Sequence, residues 1–475
     1  MSEPNTPTPG RRASITPRRK VDILVALAIG LPAVVALSVA VIGNESDPIA
    51  GISPPTTSDL TSATTVCPSA ISSDASTVRV GRTPGVTGGE LQVLTGKRPA
   101  TTVADAAPVT AAQDATVVVP GSSGATVVDG SGAAAPGLIA GRSDALAVPE
   151  CRAPSYDEWL VGLGASARYS TTLELVNPDD GEAVVDLALY DAAGPVDEPA
   201  LRGVQVPAHG VRRIDLSQSA PRRTLTAAHL TVIRGRVTAA ARTTRDPLGR
   251  ARATTDFLPT QAEPSARNLI LGFPAKPQAA TLFLANPGKD EVRANIRLVT
   301  ADATFTPTGA KEIPVAPQSM ATVDLGPLLA GEAGNGVLGI VVDAPEALAA
   351  SVRMLSAGDL TLLAPVIDTR EVTAAVVPEG AKTLQLGDAD RSGVIHVTSY
   401  DATGAKIAEE QVEIEPDRAA SLALPPKAVR ITVEPRNTRI AGVVDVPTGG
   451  RLPGLATLRL RPAETHARIP VVAPQ

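Results

Sequence analysis

Leu173-Glu174-Leu175-Val176-Asn177-Pro178 is a compact apolar run that ends in an Asn-Pro turn, and Leu282-Phe283-Leu284-Ala285-Asn286-Pro287 repeats the pattern 109 residues on. Short apolar runs bounded by turn residues read as β-strands, because Pro cannot donate to a ladder and so marks a strand end. Residues 171–176 and 281–285 are expected strands, and residues 183–190 and 292–299 alternate in part. Each Asn-Pro turn is expected to close a hairpin between its two runs. Other landmarks keep step: Pro154-Ser155 leads through Leu160, Gly162 and Ala165 as Pro264-Ser265 leads through Ile270, Gly272 and Ala275, and Asp215-Leu216 recurs as Asp324-Leu325. A period of about 110 residues marks a duplicated unit.

Further strands are expected over 203–206, 211–216, 230–233 and 236–241. Six or seven strands in one period suit an all-β, immunoglobulin-like β-sandwich, and the period is too long for a propeller blade of about 40 to 50 residues. Two fainter copies extend the array. Tyr190-Asp191-Ala192-Ala193-Gly194 is echoed by Tyr400-Asp401-Ala402-Thr403-Gly404, and Val127-Val128-Asp129 with its sequel to Arg142 resembles Val341-Val342-Asp343 with its sequel to Arg353. The expected organisation is a degenerate β module over 67–153, sandwich repeats over 154–263 and 264–372, and a divergent repeat over 373–475.

Composition agrees with strands. Of 475 residues, 43% are hydrophobic but only 2% aromatic, so cores must be built from Val, Leu, Ile and Ala. The 43 Pro and 40 Gly would break long helices repeatedly. With so few rings and a net charge of −6, the chain lacks both the stacking surface and the basic footprint of a nucleic-acid binder.

Arg11, Arg12, Arg18, Arg19 and Lys20 precede an uncharged apolar run from Ile23 to Gly43, and Glu45 and Asp47 follow it. That length crosses a bilayer, and the basic flank keeps the N-terminus in the cytoplasm. Residues 1–20 are thus expected to be a cytoplasmic tail, 21–43 a transmembrane helix or signal anchor, and 44–66 a flexible stalk rich in Ser, Thr and Pro. Cleavage after Ser38-Val39-Ala40 would instead release a secreted chain. Two cysteines, Cys67 and Cys151, lie on the exported side, where one disulfide between them is expected.

Strings that invite chemistry have plainer readings. Gly334-Asn335-Gly336-Val337-Leu338-Gly339 matches G-x-G-x-x-G but runs into the β-branched Ile340-Val341-Val342, so it reads as a turn before a strand rather than a dinucleotide loop. Asp388-Ala389-Asp390-Arg391-Ser392-Gly393 starts like a calcium loop, yet its twelfth position is Ser399 and the repeat places it at the Asn-Pro turn. Asp157-Glu158, Asp179-Asp180 and Glu409-Glu410 read as solvated acids, since strand neighbours point to opposite faces. His209, His229, His396 and His466 lack ligand spacing, so no metal or cofactor is assigned, and no catalytic residue either. Tyr156, Trp159 and Tyr169 read as core or inter-module packing.

Asp157-Glu158-Trp159-Leu160-Val161-Gly162, then the run from Ser170 to Pro178, then Tyr190-Asp191 with Gly194-Pro195, resemble an actinobacterial family of exported, membrane-anchored proteins classified only as a domain of unknown function. The resemblance implies a cell-envelope role, since genes of that family tend to lie near envelope glycosyltransferases, and it transfers no catalytic position. The expectation is a non-enzymatic, single-pass envelope protein whose extracytoplasmic sandwich array serves as scaffold or binding module, with envelope proteins or glycans as partners. The alternatives are a carbohydrate-active enzyme whose carboxylates converge on folding, and a cleaved adhesin.

Overall fold

The Tyr169–Val176 strand, with Leu173 and Leu175 fully buried, lies between Val211–Asp215 and Thr238–Arg245, and Thr254–Leu258 completes that antiparallel sheet. A second sheet faces it. There Asp157–Gly164 pairs with Leu225–Arg234, which pairs with Ala183–Asp191, on which Gly194–Val196 and Val204–Val206 lie. Ala183, Val185, Leu187 and Leu189 alternate inward from one strand, and with Leu160, Leu175, Ile214 and Leu230 they fill one core. This computed structural model describes residues 56–469 apart from 72–75, 87–88, 97–100, 104, 112–113, 121–122, 145, 222 and 449–453. The basic tail, the apolar run 21–43 and stalk residues 44–55 lie outside the described residues. Among the described residues no helix is long and apolar enough to cross a membrane.

The same strand order recurs three more times within Asp59–Ala467, which is one compact unit. Numbering strands by their order in each pair of sheets, with the two short strands that follow the third in the second and third pairs counted together as the fourth, the first lies on the sixth and the sixth on the third, while the second lies between the fifth and the seventh. The first sheet pair runs from Ser62–Cys67 to Leu138–Ser143, the third from Ser265–Leu271 to Asp359–Leu363, and the fourth from Thr373–Val376 to Gly454–Arg459. Each encloses its own aliphatic core. The all-β expectation stands, and the stalk expectation is corrected at its end, since Ser62–Cys67 is already a paired strand.

Two further expectations are corrected. The Asn-Pro turns close no hairpin: Tyr169–Val176 and Ala183–Asp191 lie in opposite sheets, as do Ala279–Ala285 and Val292–Thr300. The reason is the asparagine. Buried Asn177 donates from Nδ2 to the carbonyls of Gly181 (2.7 Å), Val206 (3.1 Å) and Pro207 (3.0 Å), and Asn286 donates to Asp290 (2.8 Å), Val315 (3.1 Å) and Ala316 (3.2 Å). It pins a corner, not a tight reversal. The immunoglobulin strand order also fails, because there the first strand lies beside the second and the seventh beside the sixth. Here the first strand lies on the sixth and the seventh on the second, and in the third pair the sixth strand carries straight on into the seventh. Val337–Ser356 is one 20-residue strand that leaves Ser265–Leu271 and joins Ala279–Ala285, so it cannot fold back on itself.

Apolar clusters join successive sheet pairs. Val66, Val127, Val176 and Val211 join first to second; Trp159, Val161, Phe283 and Met320 join second to third; Leu269, Val341, Ala419 and Val443 join third to fourth. Ile139, Ala374 and Val376 join the fourth back to the first. Gly141 permits that last approach, because a Cβ there would stand 2.7 Å from the Val376 carbonyl oxygen. The four pairs therefore close into a ring.

Candidate functional site

Glu150-Cys151-Arg152 is the segment on which the ring converges. Cys151 is bonded to Cys67, so a disulfide spanning 84 residues ties the end of the first strand to the segment that leaves the first sheet pair. Glu150 accepts Arg459 Nε at 2.6 Å, and Nη2 of both Arg459 and Arg461 at 2.8 Å. Arg459 ends the last strand of the fourth pair and also donates to the carbonyls of Pro365 (2.8 Å) and Thr260 (2.7 Å), beyond the third and second pairs. On the other side, Arg152 forks onto the Glu158 carboxylate and donates to the Ala239 carbonyl at 2.5 Å, both in the second pair. Its backbone exchanges hydrogen bonds with Val66.

These charges are enclosed, with Arg459 3%, Glu158 3%, Glu150 7% and Arg152 7% exposed. A buried ion is tolerated only when paired and hydrogen-bonded, and each of these is. Burial alone would favour protonated Glu150, but the Arg459 and Arg461 charges outweigh it and hold the carboxyl well below the usual range. Beside them lies a cavity of about 250 Å³, lined by Glu150, Cys151, Arg152, Glu158 and Arg461 and framed by Thr64, Ile139 and Ala375.

Two other buried carboxyls sit at joints. Asp256 accepts the backbone N–H of Phe257 and, across to the third pair, of Leu362, both at 2.8 Å; burial pushes it up to about 8. It faces a cavity of about 30 Å³, room for one water. Asp445 accepts Gln385 Nε2 at 2.5 Å, while Gln385 Oε1 accepts the Gly272 N–H of the third pair; burial pushes Asp445 up to about 7. No sequence motif pointed to these carboxyls or to Arg459. The charges flanking Cys151 were the available signal, since neighbours of a cross-link share its position.

The expected site residues fall elsewhere. Cys67 and Cys151 form the expected disulfide. Gly336, at φ 70°, turns the chain into Val337–Ser356, so the glycine string opens a strand. Asp388 and Asp390 sit at the corner before Gly393–Tyr400, where Arg267, Arg370 and Arg439 occupy their oxygens. Asp157 and Glu158 point apart on their strand, Asp157 to His229 and Glu158 inward; that pair is thus not wholly solvated, because Glu158 is an interior partner of Arg152. Asp179 meets Arg236, Asp180 meets His209, and Glu409 meets Lys406. Trp159, 4% exposed, stacks between His229 (4.5 Å) and Tyr190 (5.5 Å) at the joint to the third pair, whereas Tyr156 is exposed. Among the described residues no group of three or more His, Cys, Asp or Glu could hold a metal.

A profile of a family of unknown function, DUF5719, matches residues 100–425. The chain belongs to that family. Within the DUF5719 match lie Glu150, Cys151, Arg152 and Glu158, while Cys67, Arg459 and Arg461 lie outside it. No curated protein matches the chain. A solved α-L-rhamnosidase of Streptomyces avermitilis, complexed with L-rhamnose, aligns over 84% of this chain and 58% of its own length at 9% identity and a TM-score of 0.10. At that score neither fold nor activity passes from the enzyme to this DUF5719 member.

Proposed function

We propose that this DUF5719 protein is a non-catalytic scaffold of the cell envelope: tandem β-sandwich modules, held at the membrane by residues 21–43 and presenting outer sheet faces to envelope proteins or glycans. The observation that carries this reading is the ring of joints, in which each sheet pair packs on two others and the last returns to the first. Such a body holds surfaces at set positions, which is what a scaffold requires. The cavity supports the same reading. Glycoside hydrolysis needs two carboxyls of contrasting protonation free to meet a substrate, yet Glu150 and Glu158 both have their oxygens occupied by guanidinium donors.

The test is mild cross-linking of the full chain in its native envelope. One envelope protein or glycan recovered repeatedly supports a scaffold, and recovery of none overturns it. Hydrolysis of envelope polysaccharide by the purified chain, abolished in Glu158→Gln, would replace it with the enzyme.

A further inference from the structure

The disulfide is the part of the hub that scaffolding leaves without a role of its own. Cys67 is fully buried, but Cys151 is half-buried and lines the cavity of about 250 Å³, so the bond is approachable from the Cys151 side. Its two neighbours in sequence serve different parts of the ring: Glu150 is bound to the fourth sheet pair and Arg152 to the second. Three consecutive residues thus tie three sheet pairs together. The first pair also has the least of its own to rely on. Among the described residues it lacks the eighth strand that the others possess, and its core there is the smallest of the four. Its joint to the fourth pair combines the small aliphatic contacts of Ile139, Ala374 and Val376 beside the cavity wall with a few hydrogen bonds, from Arg430 to the Arg82 carbonyl and from the Thr116 and Gly137 N–H groups to the Ala402 and Glu464 carbonyls.

We propose that Cys67–Cys151 is a reducible clasp, opened through the cavity by a dithiol, whose reduction frees the first sheet pair from the fourth while the second and third stay joined. A thiolate of the dithiol attacks the Cys151 sulfur, the S–S bond breaks, and the Cys67 sulfur leaves with the bonding pair and takes up a proton. The second thiol of the reductant then attacks the mixed disulfide, releasing Cys151 as a thiol and leaving the reductant as its own disulfide. Both cysteines are reduced, one dithiol is oxidised, and the loop of 84 residues is no longer closed. The first pair then holds its place by noncovalent contacts only: its small core, the apolar joints to the second and fourth pairs, the hydrogen bonds it makes with Arg430, Ala402 and Glu464, and the Glu150 and Arg152 ion pairs.

Trp159, the chain's one tryptophan, lies at the joint between second and third pairs, so its emission separates local opening from unfolding. The experiment treats the full chain with dithiothreitol without denaturant, counts freed thiols by alkylation and mass, and follows amide exchange. Full reduction is expected, with exchange protection lost at Leu138–Ser143 and Thr373–Val376 and Trp159 emission unchanged. Ala63→Phe, which narrows the cavity wall, should slow reduction about five-fold or more if attack requires that route. The Cys67→Ser/Cys151→Ser chain should show the same loss of protection with no reductant. Resistance to dithiothreitol, a rate indifferent to Ala63→Phe, unchanged protection, or a shift in Trp159 emission would each overturn the proposal.

Discussion

Asn177 and Asn286 show what one residue decides. In sequence each announces a turn, and the direction of the chain beyond it cannot be read, because a reversal and a corner begin with the same Asn-Pro pair. Three carbonyls gathered by one amide make it a corner. Asp256 and Asp445 were equally illegible: their raised pKa values come from burial at joints, which exists only once distant segments meet. Both carry a pH consequence. An unfolded Asp ionises near its ordinary value of 3.8, while folded Asp445 and Asp256 keep their protons to about 7 and about 8. The folded state binds more protons across that interval, so stability is greatest below it and falls as pH rises toward 8, by about 1.4 kcal/mol per pH unit for each carboxyl. Melting followed from pH 5 to 9 should show this fall, and Asp445→Asn should remove part of the slope. An equal slope in the variant would mean that Asp445 does not titrate in the folded chain.

At the scale of strands, the periodic runs were legible and their partners were not. Residues 171–176, 183–190 and 211–216 match observed strands within a residue or two, because alternation of Val, Leu and Ala with polar side chains reports which face is buried. The first strand of the second pair, Asp157–Gly164, carries no such signal, because seven of its eight residues are buried and leave no alternation. Pairing depends on approach between segments far apart, and glycines record it only in hindsight. Gly141 on Leu138–Ser143 lies against Val376 on Thr373–Val376, where a Cβ would meet the carbonyl oxygen at 2.7 Å and the Val376 side chain at 2.9 Å. Gly141→Val should therefore push these edge strands apart and cost about 1 to 3 kcal/mol, as overpacking does. Hydrogen exchange at Thr373–Val376 and the melting midpoint measure it. Gly181→Ala, which meets open space, should leave both unchanged.

For the whole molecule, the duplication was plain in sequence and the closure was not, since a repeat period says nothing about whether the last copy touches the first. Closure depends on the two ends of the unit: Ser62–Cys67 supplies the buried Cys67, and Gly454–Arg459 supplies Arg459. The DUF5719 match at 100–425 contains neither. A fragment cut to that span loses Ser62–Cys67, Thr77–Arg82 and Gly89–Thr95 of the first pair together with Arg430–Arg436, Ala441–Thr448 and Gly454–Arg459 of the fourth. What it retains whole is the second and third pairs, joined through Trp159, Phe283 and Met320. It should then behave as a folded centre with unfolded ends: limited proteolysis should trim 100–425 to a core near 154–372, and both fragments should melt at the same temperature, below that of the full chain. If 100–425 instead resists the protease along its length, the sheet pairs stand independently and the joint between first and fourth contributes nothing to stability.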